Sequence, residues 1–391
     1  MLKHLSQSPV DPDFVQDPYP FLERARSAGD LVFWDDYGMP VATSYEAVTT
    51  IFKDRRLGRE APEGFGPQIP PHLAPFYAVE AHSMLELDPP RHTKLRRLVL
   101  SAFTSRRIKA LAPEISALCH QLIDDFPKGE VELLSAFATK LPVIIIARLL
   151  GVPESRADDL LAWSNAMVGM YQAGRTREDE DRAVRATEAF VEFLTSYIKE
   201  KRQHPADDLI THLIAAEEYG ETLSTDELIS TCILLLNAGH EATVHTIGNG
   251  VKTLLETRST ITEANAQTVT EEILRFDPPL HMFTRWVKED LTLFGQDFKR
   301  GEQVACLLGA ANRDPDRWDA PDAFDPTRPI QTNAAFGAGV HFCVGAPLAR
   351  LELEIALPIL MQRCPGMRFA EQPRYADIYH FHGLRDLKVL I

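Results

Sequence analysis

The chain has 391 residues, 45% hydrophobic and 25% charged, the make-up of an ordinary folded globular protein. Its formal charge of −15 argues against nucleic acid as a partner, and no apolar run approaches the roughly 18 residues that cross a bilayer. Met1-Leu2-Lys3-His4 opens no signal-peptide core, and five cysteines, an odd number without a CxxC pair, indicate a reducing, cytoplasmic setting with neither a disulfide framework nor structural zinc.

In chain order, Asp17-Pro18-Tyr19-Pro20 precedes a short helical pattern ending near Ser27. Two short strands follow, Leu31–Trp34 and Pro40–Ala42, around the turn residues Asp36-Tyr37-Gly38. The proline-rich stretch from Ala61 to Ala81 reads as a long irregular loop, of the kind that often carries function. From 91 to about 256 the pattern is helical, broken near 127–129, 151–153, 174 and 204–205, and shorter strand-like segments appear after 282. The reading is mainly α with minor β, and with no linker the chain is expected to form one domain, 1–391.

Two segments in the helical half stand out. Residues 91–109 carry Arg91, Lys94, Arg96, Arg97, Arg106, Arg107 and Lys109 and no acid, against the charge of the whole chain. Such a face is either solvated or a docking surface for an acidic partner. Further on, Ser224-x-x-Glu227 forms a capping box, and the helix it opens should run to about Glu256, roughly 50 Å. Its apolar run Cys232–Leu236 is followed directly by Asn237-Ala238-Gly239-His240-Glu241-Ala242-Thr243. Glycine and charge in the middle of a buried helix are costly, so this stretch is expected to line a site.

Near the C-terminus, Phe336-Gly337-Ala338-Gly339-Val340-His341-Phe342-Cys343-Val344-Gly345 leads into a helical run. A lone cysteine is usually a small core residue. Here glycines flank it and a helix starts beyond it, a setting that favours thiolate and allows the backbone to lie close to a flat cofactor. A dinucleotide fingerprint fails at Phe342, and covalent c-type haem fails because Ser116 stands where a second cysteine would precede Cys119-His120.

Residues 336–350 resemble the cysteine-ligand loop of the cytochrome P450 family, Phe-Gly-x-Gly-x-His-x-Cys-x-Gly-x-x-Leu-Ala-Arg, at every fixed position. Ala238-Gly239-x-Glu241 is similar to the family's oxygen-binding groove, but Ala242 replaces the usual threonine and Thr243 lies about 100° further round the helix. Glu272-x-x-Arg275 matches the family's supporting ion pair, 71 residues before Cys343, with Asn312-Arg313-Asp314-Pro315 and Phe324-Asp325-Pro326-x-Arg328 between. Asp88-Pro89-Pro90-x-His92-x-x-x-Arg96 resembles its propionate-binding segment. The resemblance covers the chain from about residue 17 onward.

It implies a prism-like fold with a long central helix over haem b, and Cys343 as the proximal iron ligand. His92, Arg96, Arg285 and His341 would meet the propionates, with Phe336 and Gly345 against the cofactor. Ala238 and Gly239 would make room for dioxygen, and Glu241, with Thr243 displaced and Ala242 silent, would bear on proton supply. The implied activity is insertion of one oxygen atom from dioxygen into a mainly apolar small organic substrate. No reductase motif follows, so electrons would come from a ferredoxin or flavodoxin-like protein docking near Arg91–Lys109. By analogy, substrate contacts are expected at Phe65, Phe76, Met167, Met170, Tyr171, Leu280, His281, Phe283, Tyr379, His380 and Phe381, where His281 and His380 could hold a polar group. A peroxide-using haem-thiolate enzyme would share Cys343 and account for Ala242. A haem-based sensor or carrier is the reading from a different class.

Overall fold

The computed structural model describes residues 2–172, 174–218 and 220–391. In chain order the elements used below are β1 (His4–Leu5), α1 (Tyr19–Ala28), β2 (Leu31–Trp34), β3 (Met39–Ala42), α2 (Tyr45–Lys53) and β4 (Leu57–Gly58). There follow α3 (Ala74–Glu80), α4 (Arg91–Ala102), α5 (Ser105–Ala110), α6 (Ala112–Asp124), α7 (Lys140–Leu150), α8 (Ala157–Val168), α9 (Arg177–Gln203) and α10 (Thr225–Thr257). The chain closes with α11 (Ala266–Phe276), β5 (Met282–Val287), β6 (Gln303–Leu307) and α12 (Ala346–Arg363). The expected mainly α, minor β composition is what forms.

The chain divides into two compact units, one from residues 1–66, 116–138 and 242–391, the other from 67–115 and 139–241. Each draws on separated stretches of sequence, so neither is a contiguous domain.

The first unit is built on a six-stranded sheet in the order β1-β2-β3-β6-β5-β4. β2 and β3 form the expected hairpin, pairing Leu31 with Ala42 and Trp34 with Met39, and β3 runs parallel to β6. One face of the sheet buries Val48, Ile51, Phe52 and Val304. The other buries Phe14, Phe21, Trp34 and Tyr379, with the Phe21 and Trp34 rings 4.6 Å apart. A polar knot lies at the end of α11. The buried Asp277 carboxylate accepts hydrogen bonds from Tyr19 at 2.8 Å and Tyr375 at 2.5 Å, and the His382 ring stacks on Tyr375 at 3.7 Å. This knot joins three segments that are far apart in sequence.

The second unit is helical. α9 begins at a capping box between Thr176 and Asp179 and packs along α8. The proline-rich stretch is not wholly irregular. Pro71–Leu73 forms a 3-10 turn and α3 follows it, with Pro75 in the first turn, where its missing N–H costs no hydrogen bond. Prolines read as breakers across 61–81 thus mark a helix start.

α10 begins at the Ser224/Glu227 capping box, Glu227 N–H donating to Ser224 Oγ at 3.1 Å and Ser224 N–H to Glu227 Oε2 at 2.8 Å. It then runs unbroken through Gly239 to Thr257, one residue beyond the expected end. The boundary between the units falls within this helix, after Glu241.

Candidate functional site

Cys343 is exposed, whereas Cys119, Cys232, Cys306 and Cys364 are buried. Burial pushes the thiols of Cys119, Cys232 and Cys306 up to about 12, so they stay protonated and inert. Cys343 stands two residues before Gly345, the N-cap of the 18-residue helix α12. Its amide donates to the Phe336 carbonyl at 3.1 Å, which closes the loop on itself. Gly337 and Gly339 hold φ of 68° and 72°. At Gly339 a Cβ would lie 2.2 Å from the Phe52 carbonyl oxygen, so only glycine lets the loop pass α2. The result is a sulfur presented on a tight, glycine-permitted turn, a donor set suited to a soft metal centre.

The loop is held from behind by α11. Arg275, 1% exposed, clasps Glu272 with two bonds of 2.7 Å and also donates to the carbonyls of Asn312, Pro321 and Ala323. The Asn312 side-chain oxygen accepts from the Ala334 amide at 2.6 Å, two residues before Phe336. Arg350 on α12 pairs with Glu271 and lies over the Phe336 ring at 4.5 Å. Glu272 and Arg275 therefore act on the loop through Asn312 as scaffold. The Arg350–Glu271 clamp was not anticipated, although an acid beside the Glu-x-x-Arg pair was its one available signal.

Arg285 is 5% exposed on β5, stacked on Phe52 at 4.6 Å, and donates to the Thr284 carbonyl. His341 ends the 3-10 turn Gly339–His341, which packs on α2. Leu280 bridges to Phe381, and the His281 amide donates to the His380 carbonyl, so these candidates share one edge. Burial, then the Arg59 charge, lower the His380 pKa, and its Nε2 is buried with no hydrogen-bond partner among the described residues. Its φ of 112° is rare for a side-chain-bearing residue. His281 and Tyr379 pack their rings 5.9 Å from each other inside the aromatic core, with the His281 ring nitrogens and the Tyr379 hydroxyl also buried without a hydrogen-bond partner among the described residues. Phe65 is 46% exposed against Arg300. Phe283 lies under Arg59 at 5.9 Å.

In the second unit, His92 is buried on α4. Burial, then the Arg96 charge, push its imidazole down to about 4 against the pull of Asp88, so it is neutral at physiological pH. Phe76, Met167 and Met170 are buried, while the half-exposed Tyr171 donates to Glu80 at 2.8 Å. On α10 a methyl at Gly239 would meet only Ile146, in ordinary contact, so the neighbours do not demand glycine there. The basic stretch is partly neutralised: Lys94 pairs with Glu227 at 3.0 Å, Arg97 with Glu221 at 3.1 Å and Arg107 with Asp207 at 2.8 Å. Arg106 and Lys109 point outward, exposed.

The cytochrome P450 family model matches residues 266–365, the stretch containing the Glu272/Arg275 scaffold and the Cys343 loop. Cytochrome P450 107B1 of Saccharopolyspora erythraea is 40% identical over 89% of this chain and 84% of its own length. The biotin biosynthesis cytochrome P450 of Bacillus subtilis is 34% identical over 98% of this chain and 99% of its own. Among solved structures, P450BioI in complex with an acyl carrier protein bearing hexadec-9Z-enoic acid superimposes with a TM-score of 0.91 at 33% identity, covering 97% of this chain and all of that one. The chain belongs to the cytochrome P450 family. It is a haem-thiolate monooxygenase, and its cofactor is haem b held through a cysteine thiolate, as in its relatives. No helix among the described residues is long and apolar enough to cross a membrane.

Proposed function

We propose that Cys343 is the thiolate ligand, and that the enzyme inserts oxygen into a mainly apolar organic substrate with electrons from a separate acidic ferredoxin or flavodoxin-like protein in the cytoplasm. The observation that carries the ligand assignment is the contrast among the cysteines: four buried, and one exposed on a glycine turn at a helix start. Haem would supply the activation of dioxygen, and the protein supplies position, access and protons. The whole chain, 1–391, is read as one functional domain, because both units are assembled from interleaved stretches.

By the family resemblance Arg285, His341, His92 and Arg96 serve the propionates, His92 as a neutral N–H donor. Phe336 and Gly345 flank the cofactor, Ala238 and Gly239 leave space for dioxygen, and Glu241 handles protons beside Ala242 and Thr243. For the substrate we place most weight on Phe76, Met167 and Met170, and on the edge formed by Leu280, His380 and Phe381. The unpartnered His380 Nε2 is suited to one polar group on an otherwise apolar molecule. His281 and Tyr379 are better read as core packing. For the redox partner, Arg106 and Lys109 are exposed cations that pair with no acid among the described residues, and they supply steering charge on an acidic protein.

The test of the ligand assignment is the reduced carbonyl complex. Wild-type protein should show the long-wavelength band that gives the family its name, and Cys343→Ser should lose it. A serine variant that kept the band would overturn the assignment.

A further inference from the structure

His240 lies 1% exposed on α10, yet it is surrounded by polar atoms. Its Nδ1 is 2.9 Å from the Leu236 carbonyl and 3.5 Å from Ser164 Oγ on α8. A carbonyl can only accept, so Nδ1 carries a proton. Its Nε2 is 3.3 Å from the Asn165 side-chain oxygen and 3.4 Å from a Glu241 carboxylate oxygen. The Asn165 amide can turn to offer its NH2 to the ring. The carboxylate has no such freedom. A neutral ring protonated on Nδ1 would aim its Nε2 lone pair at a negative oxygen, an arrangement that burial makes expensive. The contact is favourable only with a proton between the two, as imidazolium beside carboxylate or as neutral ring beside carboxylic acid. Among the described residues, the groups facing the ring are the Leu236 carbonyl, Ser164, Asn165 and Glu241, of which Glu241 is the acid.

We propose that His240 is a positioning residue for Glu241: the two share one proton, and the ring, anchored to α8 through Ser164 and Asn165, restores the carboxyl after it has given its proton away. This rests on the monooxygenase reading above. The exchange balances without electrons. With the shared proton on the carboxyl, Glu241 releases it and becomes carboxylate beside a neutral ring; the ring takes one proton from solvent, and its Nε2–H then passes to the carboxylate and restores the starting state. The pair directly precedes Ala242, the position that carries no hydroxyl. A two-residue proton store at that point compensates for a relay that lacks its usual alcohol.

The experiment uses the haem-loaded enzyme as wild type, H240Q, E241Q and S164A. Glutamine keeps amide hydrogen bonds at 240 but cannot hold a proton. The infrared C–O stretch of the reduced carbonyl complex is followed from pH 5 to 9, alongside product formed per reductant consumed. Wild type should show one titration in the stretch that is absent from H240Q and E241Q. Coupling in H240Q should fall roughly tenfold, below the loss expected for a direct general acid, while the substrate-induced spectral shift keeps its midpoint. S164A, which loosens the anchor and leaves the ring, should move the titration midpoint, so a failure of H240Q to load haem still leaves a test. An unchanged titration in H240Q, or an unmoved midpoint in S164A, overturns the proposal. If E241Q couples like wild type, the proton role given to Glu241 falls and the pairing with it. If E241Q loses coupling and H240Q does not, the pairing alone falls.

Discussion

Glu352 on α12 is 1% exposed, and neither carboxyl oxygen has a hydrogen-bond partner among the described residues. Burial alone raises its pKa from 4.5 to about 8. In the unfolded chain this group ionises near 4.5, whereas the folded protein resists ionisation until about pH 8. Between those values the unfolded state binds fewer protons, so stability falls as pH rises through the window. At about 1.4 kcal/mol per pH unit, the full penalty above pH 8 is about 5 kcal/mol. Glu352→Gln has the shape of the protonated acid and cannot ionise. It should come within about 1 kcal/mol of wild type at pH 5 and exceed it by up to about 5 kcal/mol at pH 8.5. For a chain of this length that amounts to about 5 °C in Tm. The neighbouring Cys119 thiol, pushed up to about 12 by burial and then by the Glu352 charge, stays protonated across the window and does not confuse the readout. The assay is calorimetric or denaturant unfolding of both haem-loaded proteins from pH 5 to 8.5. Parallel stability curves for the two proteins would refute the reasoning, because they would mean that Glu352 finds a compensating partner.

Three further outcomes are expected. Arg275→Met leaves the Glu272 carboxylate buried without its clasp and cuts the path through Asn312 to the Cys343 loop. It should cost about 3–5 kcal/mol and lower the haem content of purified protein, checked by denaturation midpoint and haem-to-protein ratio. Ala242→Thr returns a hydroxyl beside Glu241 and should change the share of reductant lost to peroxide by about tenfold, with no change expected in the reduced carbonyl band; equal peroxide yields would count against a relay that lacks its alcohol. Arg106→Gln with Lys109→Gln should slow reduction by a ferredoxin about two- to tenfold at low salt, the difference vanishing near 1 M salt. Stopped-flow reduction rates that match wild type at every ionic strength would move the docking surface elsewhere.

The parts of this protein that the sequence determined by itself are those whose logic is local. The Ser224/Glu227 cap is legible from spacing alone, while Cys343 with its glycines and helix start, and Glu272 with Arg275, lie within a few residues of one another, so a short motif resembling the family carried them. The helix α3 escaped because proline both breaks helices and begins them, and the decision depends on what packs behind it. Tertiary structure decided what depends on partners distant in sequence. Asp277 is buried because Tyr19, 258 residues away, and Tyr375, 98 away, supply its hydrogen bonds. Glu352 and His240 are ordinary polar letters within helical runs. Only the packing of the helices around them removes water from one and leaves it without a hydrogen-bond partner among the described residues, and sets the other against Glu241 and α8. The pKa and the proton store follow from that enclosure, which no residue spacing encodes.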